Sequence, residues 1–390
     1  MKKLQMKNDQ YVVNRISEND TFSFFIFPLS SADTLVIDDN AGTGLTIDTE
    51  YGYFAYRLDS TGTPRDTSNI VTAHTLPPTS HDFTWTEYII GDAGELRDVW
   101  GTGPDNVYAV GSITIDDTGY GMSHWDGTTW VPTQDAGGNS IYGFSDLDIW
   151  TAGASVFHKK NNEWIRVDYE FVNGNLIIYD QVLFENGPYY AVWGTNSDNM
   201  YFGSGQGTIV HWDGEKGSLE DVLEENMVFR DIYGFSEKAI YAVASNAFEY
   251  LGALYFFNGN SWTKIVQGVP NPANENEFYG PFISMWGFNK KEFVLAGSRI
   301  YSNYSNQWQP EVYLGNTALR VRGLNSNDIL ASGASGLVAH YNGVDWHRFT
   351  NINATGVEYF GIQMFDQQQF IVGRSLEGKL QAIVLHGQRN

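Results

Sequence analysis

One phrase recurs through most of this chain, and it constrains the fold more than any other feature. It begins at Val99 as Val-Trp-Gly-Thr-Gly and ends in Tyr-Ala-Val-Gly at Gly111. The second residue of each copy, which we call the anchor, is Trp100, Tyr142, Trp193, Tyr233, Trp286 or Arg322 in the six clear copies. These anchors are 36 to 53 residues apart, and a spacing of this size is typical of repeats that stack around a shared core. A seventh, degenerate copy begins near Ile362.

Each copy predicts four β-strands. Two short apolar or aromatic runs are separated by a turn of Gly, Asn and Asp residues, which is typical of a hairpin. A second hairpin follows, because one strand ends near His-Trp-Asp-Gly and the next is centred on a tryptophan, as at Trp130. Four strands in this length predict one blade of a β-propeller. Seven copies therefore predict an all-β fold with seven blades.

The ends of the repeat region predict how the ring of blades closes. The last copy stops after its third strand, residues 382–386, and lacks a tryptophan strand. An isolated strand of the missing type, residues 82–89 with Trp85, precedes the first copy. We predict that these two segments share one blade, since their pairing removes a free sheet edge. The predicted propeller spans residues 82–390.

The repeat resembles those of bacterial propellers with Trp-Gly-x-x-x-x-Asp-x-Tyr-x-Val-Gly followed by His-Tyr/Trp-Asp-Gly-x-x-Trp. The turn from Asp126 to Trp130 also resembles the Asp-box of sialidase-like propellers, with His124 where that family prefers Ser or Thr. Such repeats are common in secreted and cell-surface proteins. The resemblance therefore implies a location outside the cytoplasm, although fold alone does not fix an activity.

Residues 1–76 predict a separate module. The run 45–51, Leu-Thr-Ile-Asp-Thr-Glu-Tyr, resembles the Leu-x-Pro-x-Thr-x-Tyr of fibronectin type III domains, with Ile47 where proline is usual. Strands are predicted at 51–58 and 68–73. A complete domain of this type has about 90 residues in seven strands, so we predict an incomplete fibronectin type III-like β-sandwich. Residues 77–81 form the predicted linker, because consecutive prolines disfavour helix and inner strand.

Composition excludes several classes of function. The 390 residues include 23 Lys and Arg against 46 Asp and Glu, a net charge of −23, which disfavours binding to nucleic acid. The absence of cysteine excludes disulfides and thiolate metal sites. No segment has the roughly 18 apolar residues that span a membrane, and polar residues occupy the place of a signal-peptide core after Lys3. We expect a monomeric propeller that does not insert into membranes.

Most ionisable candidates have a structural interpretation. His124, His158 and His340 occupy one repeat position in three blades, so they cannot meet at one metal, and we predict that each imidazole bonds to a turn backbone group. The acidic pairs Asp38–Asp39 and Asp116–Asp117 are possible calcium ligands but lack the alternating spacing of a calcium loop. We therefore predict no cofactor, with calcium as the alternative.

Three arginines, Arg97, Arg230 and Arg320, lie on predicted innermost strands. A sialidase-like site would use such arginines to hold a carboxylate through paired N–H groups. The competing interpretation is that they form ion pairs with carboxylates inside or between blades. The sequence leaves both open.

Long insertions predict an elaborated end of the propeller. Chain direction alternates within a blade, so insertions near 113–121, 167–189, 245–252 and 267–282 should emerge together. Their aromatic residues, interspersed with carboxylates, are the remaining ligand-binding candidates: Tyr120, Tyr169, Tyr179, Phe248, Tyr250, Phe278 and Tyr279. Aromatic rings with carboxylates suit sugars and also protein partners.

These patterns favour a non-enzymatic binding or scaffold protein outside the cytoplasm, which recognises glycan or protein through the loop-rich end. The alternative is a sialidase-like glycoside hydrolase or lyase. That activity would need converging carboxylates or arginines where the channel opens, and the sequence assigns no catalytic residue.

Overall fold

The chain divides into two compact units, Met1–Thr79 and Ser80–Asn390, and the predicted linker spans the boundary between them. The computed structural model describes residues 10–17, 20–26, 45–59, 61–134, 136–173, 175–223, 225–270, 278–289, 292–304, 307–352 and 356–390. In these ranges no helix is both long and apolar enough to cross a membrane.

The described residues of the first unit form one antiparallel sheet. Its strands are β1 (Gln10–Ser17), β2 (Asp20–Ile26), β3 (Glu50–Leu58), β4 (Pro64–Arg65) and β5 (Val71–His74). Their order is β2-β1-β3-β4, with β5 also paired to β3. Strand β3 matches the prediction at 51–58, whereas β5 begins three residues later than predicted. At Ser68 the side-chain hydroxyl, and not a backbone carbonyl, accepts the hydrogen bond from the Ala55 N–H, at 2.9 Å. Regular backbone pairing therefore starts only at Val71.

Sheets of four or five strands make up most of the second unit. A single strand, β6 (Phe83–Ile90), comes before them. Sheet 1 contains β7 (Ala93–Gly103), β8 (Asn106–Ile115), β9 (Thr118–Trp125) and β10 (Trp130–Thr133), and sheet 2 contains β11 (Ser140–Ser145), β12 (Asp148–Ala152), β13 (Val156–Lys160) and β14 (Glu163–Arg166). A separate hairpin, β15 (Tyr169–Val172) and β16 (Asn175–Ile178), and helix α1 (Gln181–Asn186) follow sheet 2.

Five further sheets complete the described part of this unit, which makes seven sheets of four or five strands besides the hairpin. Sheet 3 contains β17 (Tyr189–Asn196), β18 (Asn199–Ser204), β19 (Thr208–Trp212) and β20 (Gly217–Leu223), and sheet 4 contains β21 (Val228–Ser236), β22 (Ala239–Asn246), β23 (Leu251–Phe257), β24 (Trp262–Val269) and β25 (Phe278–Tyr279). Sheet 5 contains β26 (Phe282–Asn289), β27 (Glu292–Gly297), β28 (Ile300–Tyr304) and β29 (Gln307–Val312). Sheet 6 contains β30 (Ala318–Asn325), β31 (Asp328–Gly333), β32 (Val338–Tyr341) and β33 (Trp346–Arg348), with a short 3-10 turn at Ala334–Gly336. Sheet 7 contains β34 (Val357–Met364), β35 (Gln368–Ser375) and β36 (Gln381–Arg389), together with β6.

A constant register relates each anchor to the second strand of its sheet. In sheets 1 to 6 the anchor pairs with the residue eight positions later, as in Trp100–Tyr108 and Arg322–Leu330. In sheet 7, Gln363 pairs with Phe370, seven positions later. Gln363 is therefore the seventh anchor, and its turn is one residue shorter. This shorter turn accounts for the degenerate appearance of the seventh copy.

The two ends of the second unit share sheet 7. Strand β36 pairs with β35 on one side and with β6 on the other, and Trp85 of β6 lies opposite Gly387. A Cβ at position 387 would lie 2.4 Å from the Trp85 ring, so this pairing requires glycine. The predicted pairing of the segment around Trp85 with the C-terminal strand is present.

The first strands of the seven sheets surround a common centre. Each contacts the first strand of the next sheet, and β34 contacts β7. We call the space that they surround the central channel. The apolar core lies between neighbouring sheets, as where Leu96 and Val107 of sheet 1 share a cluster with Phe370 and Val384 of sheet 7. Because strands alternate in direction, the connections between sheets and the starts of the first strands lie at one end of this channel, the loop-rich end.

Candidate functional site

Five histidines on third strands form a repeated structural pair. Each Nε2 is hydrogen-bonded to the first side chain of the second strand: His124–Asn106, His158–Asp148, His211–Asn199, His340–Asp328 and His386–Gln368. Four of the rings also stack on an aromatic ring of that strand, with centroids 4.0 to 4.4 Å apart. Burial lowers the pKa of four of them, His124, His158, His211 and His386. The role is structural, with side chains in place of the predicted backbone partners.

Arg320 is buried in the middle of the channel. Its guanidinium nitrogens lie 3.0 Å from an Asp98 oxygen and 3.4 Å from an Asp231 oxygen. Arg322, the sixth anchor, donates two hydrogen bonds to Asp231, at 2.9 and 3.0 Å. We call these four residues the ion-pair layer. They join sheets 1, 4 and 6, and their two carboxylates and two guanidinium groups compensate one another.

Two serines complete the bonding of these carboxylates. Ser140 Oγ donates to Asp98 at 3.0 Å, and Ser284 Oγ donates to Asp231 at 2.6 Å. Burial by itself raises the pKa of Asp231, but the two guanidinium groups outweigh burial and hold this pKa below its ordinary value. The Asp231 carboxylate is therefore an ionised acceptor, and both carboxylates are engaged by groups within the protein. Of the two interpretations that the sequence left open for Arg320, the structure shows the ion pairs with carboxylates from other sheets.

A β-bulge changes the direction of one side chain in six of the first strands. The register shifts at the residue three positions before the anchor, which is Arg97, Tyr190, Arg230, Ile283, Leu319 or Phe360. Bulges commonly redirect side chains next to functional sites. These six residues lie nearer the strand starts than the ion-pair layer does, and therefore toward the loop-rich end. We call them the channel mouth.

The two arginines of the channel mouth have different surroundings. Arg97 donates to Glu95 at 2.6 Å and lies over the Phe360 ring, 4.7 Å from its centroid. Arg230 contacts Ser245 Oγ at 3.3 Å and lies 5.5 Å from the Tyr190 centroid. No carboxylate is paired with Arg230 among the residues that the structure describes. Burial lowers its pKa, and the charge of Arg97 adds to that effect.

Arg374, on the second strand of sheet 7, was not marked by any pattern in the sequence. Its guanidinium pairs with Glu95 at 2.7 Å and with Glu358 at 2.6 Å, and it lies 5.4 Å from the Phe360 centroid. It belongs to the degenerate seventh copy, where no motif marked the position. Glu95 is thus shared between two guanidinium groups beside the channel mouth.

The seven anchors meet at one cavity. It has a volume of about 220 Å³ and is lined by all seven anchors, together with Asp98, Ser140 and Asp231. Asp98, Asp231 and Arg320 each lie two positions before an anchor, so they bound the cavity on the side of the loop-rich end, and the anchor Arg322 pairs with them. We call it the anchor cavity. In the sequence the anchors served only to identify the fold. Their place on every innermost strand was nevertheless a signal that they would converge on the channel.

The first aromatic candidates lie beside the hairpin β15–β16. Tyr169 lies 4.6 Å from the Arg166 guanidinium. Tyr179 is exposed, and a hydrogen bond with Glu170 raises its pKa. The hairpin also exposes Phe171. We call β15 and β16 with Tyr179 the exposed hairpin.

The remaining aromatic candidates have mixed roles. Tyr250 and Tyr279 lie together, with centroids 5.3 Å apart. Phe278 packs against Tyr301 and Trp308. Phe248 is fully exposed to solvent, whereas Tyr120 packs against the core between sheets 1 and 7.

Calcium binding remains a prediction. Within the described ranges, no group of three or more His, Asp or Glu side chains could hold a metal ion. Asp116 and Asp117 both adopt left-handed backbone angles, with φ of 47° and 61°, in the turn after β8. Asp38 and Asp39 lie outside the described residues.

Comparison with known proteins identifies the fold. No family model and no curated protein matches this chain. Its structure resembles that of YCF48 bound to D1 peptide, with a TM-score of 0.56, 14% identity, and coverage of 81% of this chain and 100% of that one. It also resembles YCF48 from Cyanidioschyzon merolae (TM-score 0.54, 13% identity, 78% and 98% coverage) and the WD40 β-propeller domain of Doa1 (0.53, 13%, 80% and 98%). The chain has a β-propeller fold. At this level of identity the likeness assigns the propeller fold and no residue-level role.

Proposed function

We propose that the second unit is a closed propeller of seven blades, that residues 1–76 are an incomplete fibronectin type III-like module, and that the protein is a non-enzymatic binding or scaffold protein outside the cytoplasm. Its ligand is a protein segment that carries a carboxylate. The seven sheets and the contacts among their first strands support the blade number. The resemblance of the repeats to those of secreted and cell-surface proteins supports the location.

Arg230 is the observation that carries this proposal. A half-buried guanidinium without a carboxylate partner is unfavourable for the folded protein unless an anion binds to it. Its position is unusual because the chain has 46 acidic residues and a net charge of −23. Guanidinium groups bind carboxylates through paired N–H groups. A carboxylate on the ligand would therefore provide the negative charge that no described residue of the protein places beside Arg230.

The rest of the channel mouth favours a peptide over a bare anion. Ile283, Leu319 and Phe360 form an apolar arc, while Arg97, Tyr190 and Arg230 form a polar one. A segment with a carboxylate beside an apolar side chain would contact both arcs. One of the similar propellers was solved with a peptide bound, which supports a peptide as the ligand class for this fold.

The exposed hairpin offers a second apolar surface at the loop-rich end. Phe171 is 66% exposed, Leu176 43% and Tyr179 54%. Exposed aromatic and aliphatic side chains of this kind are enriched in protein interfaces. The two strands also have outer edges to which an extended segment can add by main-chain hydrogen bonds.

The carboxylates near the channel favour binding over hydrolysis. Glu95 and Glu358 both pair with Arg374, and Asp98 and Asp231 belong to the ion-pair layer. A glycoside hydrolase needs one carboxyl group that keeps a proton beside one that does not. All four of these carboxylates are instead engaged by guanidinium groups, in an arrangement typical of structural ion pairs.

The test is a screen of the full-length chain against short synthetic peptides of varied charge and against a glycan array. We expect selective retention of peptides with Asp or Glu next to an apolar residue. Arg230→Gln should weaken that binding by about tenfold or more, because a hydrogen bond to a charged group is worth about 1.5–3 kcal/mol.

Arg299→Gln is the matched control. Arg299 is exposed in the turn between the second and third strands of sheet 5, at the same end of the propeller, and the substitution removes the same charge. An equal loss of peptide affinity in both variants would show that the effect comes from the change in net charge alone. Failure to retain any peptide with Asp or Glu next to an apolar residue, or peptide binding unaffected by Arg230→Gln, would overturn the proposal.

A further inference from the structure

We infer that the anchor cavity is a second binding site, which takes one uncharged sugar ring and is separate from the channel mouth. This site goes beyond the proposed function. Three members of the ion-pair layer, Asp98, Asp231 and Arg320, lie between the two places: the channel mouth precedes them along the first strands, and the anchors follow them. The fourth member, Arg322, is the one anchor that pairs with this layer. A ligand in the anchor cavity would therefore make no contact with Arg230.

The walls of the cavity select a small ring. Five of the seven anchors are aromatic: Trp100, Tyr142, Trp193, Tyr233 and Trp286. Aromatic rings offer flat apolar surfaces against which another ring can pack. The volume of about 220 Å³ is below the roughly 300–1,000 Å³ of sites for drug-sized ligands. The cavity therefore suits a single ring.

The polar groups on the walls call for a ligand that supplies acceptors. The indole N–H groups of Trp100, Trp193 and Trp286 make no hydrogen bond to any residue that the structure describes. Trp125 donates to Pro104 and Trp150 to Ser197, at 3.1 and 3.0 Å, whereas the buried indole N–H groups of Trp85, Trp130 and Trp346 have no partner among the described residues. The three anchors differ from these in that they line a cavity. Buried or half-buried donors gain from a partner, so ligand oxygens would complete the anchors.

The hydroxyl and amide groups among the anchors extend the argument to a sugar. Tyr233 donates its hydroxyl proton to the Gly287 carbonyl at 3.1 Å, whereas the Tyr142 hydroxyl makes no such bond within the described ranges. Gln363 donates its amide N–H to the Met364 carbonyl at 3.2 Å, which leaves its side-chain oxygen as an acceptor. The cavity thus offers donors and acceptors together, and sugar hydroxyls act as both.

The charge balance selects an uncharged ligand. The ion-pair layer sums to zero, and the Asp231 carboxylate accepts from Arg322, from Ser284 and from the Met285 N–H at 3.1 Å. A charged ligand would lose its hydration without meeting a counter-charge. An uncharged ring with hydroxyl groups avoids that penalty.

The test is calorimetric titration of the full-length chain with the methyl glycosides of glucose, galactose, mannose and N-acetylglucosamine. Glucuronate and nicotinamide serve as the charged and the aromatic probe. We expect saturable binding of at least one neutral glycoside. Tyr142→Phe, which removes one hydroxyl and keeps the ring, should weaken it about fivefold, the value of one neutral hydrogen bond.

Gln363→Trp should abolish the binding because it fills the cavity. Gln367→Trp is its matched control, since Gln367 is exposed in the turn between β34 and β35. Arg230→Gln should leave the affinity for the glycoside unchanged, which separates this site from the proposed peptide site. Binding of nicotinamide or glucuronate alone, no binding of any glycoside, or equal binding by Gln363→Trp and Gln367→Trp would overturn the inference.

Discussion

The central channel holds arginines in two opposite electrostatic states. In the ion-pair layer, Arg320 and Arg322 are compensated by Asp98 and Asp231 through contacts of 2.9 to 3.4 Å. At the channel mouth, Arg230 is half-buried and has no carboxylate partner among the described residues. Both groups lie on first strands of the same propeller. The comparison separates an arginine that holds sheets together from one that is available to a ligand.

A single step along the strand produces this difference. Arg320 lies two positions before its anchor, where the side chain is directed into the layer shared by sheets 1, 4 and 6. Arg230 lies three positions before its anchor, at the bulge, where the side chain is redirected. Arg97 occupies the same bulge position as Arg230 but pairs with Glu95. The repeat position therefore sets where the guanidinium lies, and the carboxylates beside it decide whether it is paired.

Substitution of Arg320 should have the largest effect on stability. Arg320→Gln leaves Asp98 buried without its ion-pair partner and weakens the bonding of Asp231. Removal of one member of a buried pair destabilises a protein by about 3–5 kcal/mol. Urea unfolding followed by tryptophan fluorescence measures this change, with Arg299→Gln as the exposed control. A loss equal to that of the control would show that the layer contributes no more than a surface charge.

The sequence predicts the features of the propeller that recur from repeat to repeat. The anchors predict the sheets, and the strand around Trp85 predicts the shared sheet 7, because both depend on local patterns of apolar and turn residues. The bulges were not predictable, since Arg97, Tyr190 and Phe360 share no chemistry that marks an extra residue in a strand. The Arg320–Asp98 pair was open in the sequence because its members come from different repeats and meet only after the ring forms.

Acid should act on the histidine pairs before it acts on the ion-pair layer. Burial lowers the folded-state pKa of His124, His158, His211 and His386, so the unfolded chain binds more protons below its ordinary histidine pKa of about 6.5. Stability is then highest above that value and falls as the pH decreases below it, because the unfolded chain takes up protons that the folded histidines do not.

The ion-pair layer predicts a separate loss at lower pH. The folded-state pKa of Asp231 lies below its ordinary value, so its contribution is present above about pH 4 and disappears as the pH falls through the folded-state pKa. Urea midpoints measured across this range would show both phases. His211→Gln should reduce the first phase, and exposed His74→Gln should leave it intact. A single loss near pH 4 would contradict the role of the histidine pairs.

Arg230→Gln should have the smallest effect on stability, and the opposite sign. The substitution removes a guanidinium that is partly desolvated and lies near Arg97, and glutamine can keep a hydrogen bond to Ser245. We expect the free energy of unfolding to rise by about 0.5–1 kcal/mol, as is common where a residue serves binding at the expense of stability. Urea unfolding of Arg230→Gln and Arg320→Gln compares the same chemical change one repeat position apart. If both variants are destabilised equally, Arg230 has a structural partner and the distinction between the two groups fails.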